Sequence, residues 1–164
     1  GGAVGSGALN RGHSDTSPSS ALAASTDDNQ ACYGTGEDCN ASTWDLQKRT
    51  HKLSNGEVIW DFAGNVWEWV YDDYALLDVN PALDAQWYDY NDASVGANNR
   101  NLFGPSKASW SAAQGMGRIF GGSGGAVHRG GFWGDIRSGV FAAALDRGSS
   151  YLHAGVGFRC VFTP

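Results

Sequence analysis

Cysteine, histidine and serine are the side chains that could carry covalent or metal chemistry here, and their spacing assembles no catalytic constellation. Three cysteines are an odd count. Cys32 and Cys39 flank Tyr-Gly-Thr-Gly-Glu-Asp, a flexible polar loop with no other visible anchor. They read as a disulfide, with two reduced thiols as the alternative. Cys160 lies in an apolar run and is expected as a buried thiol. His13, His51, His128 and His153 show no metal-site spacing, which points to structural or surface roles. Gly121-Gly122-Ser123-Gly124-Gly125 has the letters of a nucleophile elbow, but that pattern has meaning only between a strand and a helix. Here it precedes Ala126-Val127-His128-Arg129, which reads as a strand lead-in, so a loop is expected. Asn40-Ala41-Ser42 matches a glycosylation sequon, a triplet too common to carry weight, and Asp72-Asp73 reads as a solvated turn.

The segment 132–155 differs in kind. Phe132, Asp135, Arg137, Asp146, Arg147, Tyr151 and His153 are chemically diverse and stand among small residues. A segment serving only a core would keep a steadier hydrophobic period. The run Gly139-Val140-Phe141-Ala142 breaks that pattern and reads as core. Tyr and Arg are common anchors of adaptable binding sites, since they offer large area at low entropic cost.

The elements that must hold these residues are short. Twenty-four glycines and seven tryptophans predict a loop-rich fold in which short strands and indoles do the packing. Residues 1–31 read as irregular, with a short helix around 20–25. The runs before and after Asn55-Gly56 predict a β-hairpin with a tight primed turn, both central residues taking positive φ. Residues 66–70 alternate: Val66, Glu68 and Val70 face one way, and Trp67 and Trp69 the other, as core. Residues 72–115 read as a polar, insertion-like stretch. Short strands are expected at 118–120 and from Val127, and a final strand at 155–162.

The bulk numbers set the frame. A length of 164 residues with 41% apolar and 17% charged residues suits one globular domain, 1–164. The net charge is −6 and the basic residues are scattered, which argues against nucleic acid as a partner. No apolar run is long enough for membrane insertion. A start at Gly-Gly without Met reads as an N-terminally trimmed chain.

Three motifs in order, Gly64-Asn65-Val66-Trp67-Glu68-Trp69, His128-Arg129-Gly130-Gly131-Phe132-Trp133 and Gly157-Phe158-Arg159-Cys160, resemble the formylglycine-generating-enzyme (sulfatase-modifying factor) family. The resemblance covers roughly residues 47–71 and 127–162. It implies an α+β chain with an elaborated C-type lectin fold, loop-rich with short antiparallel strands. Enzymes of that family use two cysteines, five residues apart after the Gly-Gly-aromatic motif, to bind copper and handle a substrate thiol. The matching positions are Asp135 and Val140, and neither can supply a thiolate. Copper oxidase chemistry, and any required cofactor, is therefore not expected. In the enzymes a hard cation is held by side chains at the positions of Asp61 and Glu68 and carbonyls at those of Gly64 and Val66. The resemblance thus implies a structural calcium here, with Glu68 paired to Arg159 or Arg129 as the alternative.

The variable proteins of diversity-generating retroelements, a second branch, are similar in the Trp-Glu-Trp motif and the closing Gly-Phe-Arg. In them, the segment between Gly-Gly and Gly-Phe-Arg is rewritten at template adenines, mostly in Asn codons. Such codons cannot become Lys, Glu, Gln, Met or Trp by adenine replacement alone, and residues 134–155 contain none of the five. By position in that fold, Phe132, Gly134, Asp135, Arg137, Ala144, Asp146, Arg147, Tyr151 and His153 are expected to line an exposed ligand-contact surface within a variable region 130–160. The expected function is non-catalytic binding of a protein or cell-surface ligand, at a cell or virion surface. The alternatives are a metal-dependent oxidase or sulfoxide-synthase-like enzyme, which would need clustered histidines, and a fixed structural or surface domain.

Overall fold

Several strands form where β-branched and aromatic residues gather. The computed structural model describes residues 9–40, 47–70, 85–104, 111–122 and 126–160. Thr50–Lys52 (β1) and Val58–Trp60 (β2) pair antiparallel with Thr50 opposite Trp60, as the hairpin reading expects. The turn differs from expectation. Leu53 N–H donates to the Glu57 carbonyl (2.8 Å), leaving a three-residue loop, and only Gly56 takes a positive φ, 92°. Asn55 contributes its side chain instead, Oδ1 accepting from Glu57 N–H at 3.1 Å. A three-residue loop closed by a left-handed glycine is the next most common hairpin solution after the primed turns.

A six-stranded sheet holds the rest: Trp67–Val70 (β3), Trp87–Tyr88 (β4), Ile119–Phe120 (β5), Ala126–Arg129 (β6), Ala143–Arg147 (β7) and Val156–Phe158 (β8). Their spatial order is β4-β5-β7-β6-β3-β8. The pairings β3–β8 and β5–β7 are parallel, so the sheet is mixed where antiparallel strands were expected. The described structure is mostly sheet and loop, with one short helix, Ala97–Phe103 (α1). β4 and α1 lie in the stretch expected to be irregular. No helix forms at 20–25; those residues run as bends and open chain. The final strand stops at Phe158, because Arg159 turns its guanidinium into Glu68 and the carbonyls of Trp60 and Asp61. Cys160 is left outside the sheet as an exposed free thiol, a correction to the buried one expected.

The two faces of the sheet pack differently. On one, Ile119, Val127, Ala143 and Leu145 meet Tyr90, Val95 and Phe103 from the α1 region. Tyr90 is fully buried and its hydroxyl donates to the Phe141 carbonyl at 2.6 Å. Burial holds that phenol well above its usual pKa. The opposite face carries a row read from the strand register: Phe158, Trp69, His128, Ala144, Phe120 and Trp87, one residue from each strand. The alternation expected at 66–70 holds, with Val70 against the first cluster and Trp67 in the second.

Side chains from later in the chain, Arg49 and Asn65 among them, tie down the N-terminal segment. Arg49 is wholly buried, and all five of its N–H donors are used. Nε and Nη2 fork onto Asp61 Oδ1 and Oδ2 (2.7 and 2.6 Å). Nη1 donates to the carbonyls of Ala23 and Tyr33, and Nη2 also to that of Leu22. Cys32 and Cys39 are disulfide-bonded within the same segment.

Candidate ligand-contact surface

The surface grows from the sheet row. His128 on β6 is 2% exposed, and its ring centroid lies 3.7 Å from that of Trp69 on β3. Burial, and secondarily Arg147, lowers its pKa to about 4, so the imidazole is neutral near neutral pH. Outward from it, Tyr151 meets His128 edge-on (5.9 Å) and stacks parallel on His153 (6.0 Å, 8°). His153 in turn meets Phe132 edge-on at 6.0 Å. The Arg147 guanidinium lies 4.6 Å from the Tyr151 ring centroid and pairs with Asp146 (2.9 Å). Trp69, Tyr151, His153 and Phe158 wall an open hollow of about 490 Å3, with Leu152 92% and Phe158 76% exposed at its rim. Exposed apolar side chains gathered at one rim, unlike ones scattered singly, mark a candidate contact site.

Local backbone explains the placement. Gly130 and Gly131 take φ near 90°, and a Cβ on Gly131 would run into the Ser138 side chain. The chain can therefore fold back after β6 and lay Phe132 over Gly134 and Gly155, where a Cβ at either would meet the phenyl ring. Phe132, Arg147, Tyr151 and His153 are thus brought together, with Asp146 alongside through Arg147. Arg137 sits apart, its guanidinium 5.0 Å from the Trp87 ring centroid. Gly134 is half-buried beneath Phe132.

Two expected surface residues are buried. Asp135 is 7% exposed, because its Oδ1 closes a turn by accepting from Arg137 N–H (2.9 Å) and pairs with Arg137 Nε (3.0 Å). Ala144 is 6% exposed in the cluster with Trp67, Trp87 and Phe132, and the Trp67 and Trp87 indoles stack in that cluster. Trp69 was expected as core and instead lines the hollow. Alternation alone places Trp69 on the same face as Trp67; it does not tell which of the two is covered.

The arrangement at the expected calcium ligands is an ion-pair network. Asp61 takes φ 53°, and both its carboxylate oxygens accept from Arg49. Oδ2 also accepts from Asn65 Nδ2 at 3.0 Å. Arg159 Nη2 donates to Glu68 Oε1 (2.6 Å) and to the carbonyls of Trp60 and Asp61, and Nε donates to both Glu68 oxygens. A guanidinium thus stands against each carboxylate, and the donor set as placed does not fit calcium. Gly64 is buried at φ 72° with its N–H on the Gly130 carbonyl, and Val66 is half-buried. Among the described residues no group of three or more His, Cys, Asp or Glu side chains is gathered to hold a metal.

The glycine-paired turn, the Trp-Glu-Trp strand and the Arg159–Glu68 bridge join three distant parts of the chain into one frame. A comparison with protein families matches residues 8–164 to the FGE-sulfatase family, described as the sulfatase-modifying factor enzyme 1-like domain. The chain belongs to this family. No curated protein and no solved structure matches it. Asp135 and Val140, which the resemblance sets at the positions of the enzymes' two cysteines, are buried and half-buried. Members of this family include enzymes and non-catalytic proteins, so membership by itself assigns no reaction.

Proposed function

We propose that the chain is a non-catalytic binding protein that displays a diversified ligand-contact surface on a C-type-lectin scaffold, the role of a retroelement variable protein. One observation carries the reading: around 132–155 the backbone path is set largely without the projecting side chains. Asp135 N–H bonds to the Phe132 carbonyl, Ser138 to Asp135, Tyr151 to Gly148 and Val156 to His153, all backbone to backbone. Among the projecting side chains Arg147, Tyr151, Leu152 and His153, the bond to the backbone is a local one, His153 Nδ1 accepting from Gly155 N–H at 3.0 Å. Contact chemistry can then change while the path stays.

The ligand is a protein or other cell-surface molecule, met at a cell or virion surface, and aromatic faces with an arginine beside them suit such a partner. Nucleic acid is a poor fit, since the net charge is −6 and Arg137 and Arg147 cover different rings. The reading names no catalytic residue and needs no cofactor. Two displayed libraries test it, one randomising Arg147, Tyr151, Leu152 and His153 together, the other Arg49, Asp61 and Asn65. Most members of the first should resist protease as the parent does, and most of the second should not. Equal failure in both would overturn the proposal.

A further inference from the structure

The open hollow of the contact surface is lined by groups that select one kind of occupant. Trp69 and Phe158 stand side by side there in the β3–β8 register, and His128 packs against the Trp69 indole at 3.7 Å. Among the described residues no Asp, Glu, Lys or Arg side chain lines the hollow. An ion seated in it would lose hydration and gain no counter-charge. Ring faces attract cations, but the Arg147 guanidinium already lies 4.6 Å from the Tyr151 ring centroid and puts positive charge beside the hollow. His153 adds a hydrogen-bond donor. Its Nδ1 accepts from Gly155 N–H at 3.0 Å, which uses the lone pair there, so the ring proton sits on Nε2. That Nε2–H is on the far side of the ring from the Gly155 bond, on an exposed side chain. Apolar ring surface, an N–H donor and no counter-ion complement an uncharged ring beside a hydrogen-bond acceptor, and they oppose an ammonium group.

We propose, resting on the reading of 132–155 as a contact surface, that the hollow seats an uncharged aromatic side chain of a protein partner, a phenylalanine carried on an extended segment. Its ring packs against Trp69 and Phe158, where aromatic pairs add attraction beyond the area they cover. A carbonyl of the partner's own backbone accepts the His153 Nε2–H. The volume of about 490 Å3 lies within the range of ligand sites, and the open mouth admits a side chain with its flanking peptide groups.

The test is an NMR titration of isotope-labelled protein with the uncharged peptide acetyl-Gly-Phe-Gly-amide. Saturable shifts at the Trp69 indole N–H, His153 and Phe158 are expected. Acetyl-Gly-Lys-Gly-amide, a cation of the same backbone, and methyl glucoside, a sugar ring, should both bind more weakly. His153→Phe, which keeps a ring and removes the Nε2–H, should weaken binding by about threefold to tenfold, the scale of one hydrogen bond. Phe158 is 76% exposed, so Phe158→Ser should weaken binding several-fold without altering melting. The displayed libraries read protease resistance and use no probe, so they judge the contact surface separately from its occupant. Binding of the lysine peptide or the glucoside as tight as that of the phenylalanine peptide, shifts that do not saturate or lie away from the hollow, or affinity unchanged in both variants would overturn the proposal.

Discussion

The Arg49 clamp and the 132–155 surface both use arginines beside carboxylates and aromatic rings, and they use them to opposite ends. Arg49 is wholly buried, every N–H is bonded, and its partners lie in three separate stretches of chain. Arg147 has a side chain 49% exposed, pairs with its sequence neighbour Asp146, and covers one ring. A buried, fully paired guanidinium fixes a fold, and a half-exposed one beside an aromatic leaves its chemistry for a partner. The same residue type thus has its meaning set by where its donors go.

The largest effect that would break this contrast is at the clamp. Arg49→Met takes the paired cation from the largely covered Asp61 carboxylate and should lower stability by about 3 kcal/mol in chemical denaturation. A loss comparable to a surface substitution would remove the clamp from the account. The second effect lies beneath the contact surface, at His128. Its pKa is lowered from 6.5 to about 4 in the folded state, so the unfolded chain binds the proton more readily between those values. The stability from keeping it neutral is fully present above about pH 6.5 and is lost as pH falls towards 4, on the order of 1–3 kcal/mol. His51, lowered chiefly by burial, contributes in the same direction. His128→Phe should flatten the slope, and an unchanged slope would show that other groups cause it. The smallest effect is expected at the surface itself: Arg147→Ala with Tyr151→Ala should change stability by about 1 kcal/mol or less. A larger loss would make these residues structural and sink the contrast.

The sequence was readable where local chemistry decides structure. Asn55-Gly56 announces the hairpin, and the Trp-Glu-Trp alternation announces β3 and its two faces. It was unreadable where distant partners decide. Arg49 stands in Gln47-Lys48-Arg49 like any surface base until Asp61 and the carbonyls of Leu22, Ala23 and Tyr33 are seen around it. β4 has only two residues, and α1 is Ala-Asn-Asn-Arg-Asn-Leu-Phe, rich in weak helix formers and without a side-chain cap, so neither leaves a periodic signal. At the contact surface, Phe132, Arg147, Tyr151 and His153 were legible as a diverse set. Asp135 was misplaced because a turn-closing aspartate and a displayed one look alike in sequence. Ala144 was misplaced because its burial depends on Trp67 and Trp87, which come from other strands.

Sequencing the DNA just downstream of the gene tests the central claim most directly. The account predicts a near-copy of the codons for residues 130–160 that differs almost only where the copy has adenine, with the differences falling at the outward side chains. Finding no such repeat, and no reverse transcriptase gene nearby, would contradict diversification and leave a fixed surface made for one partner.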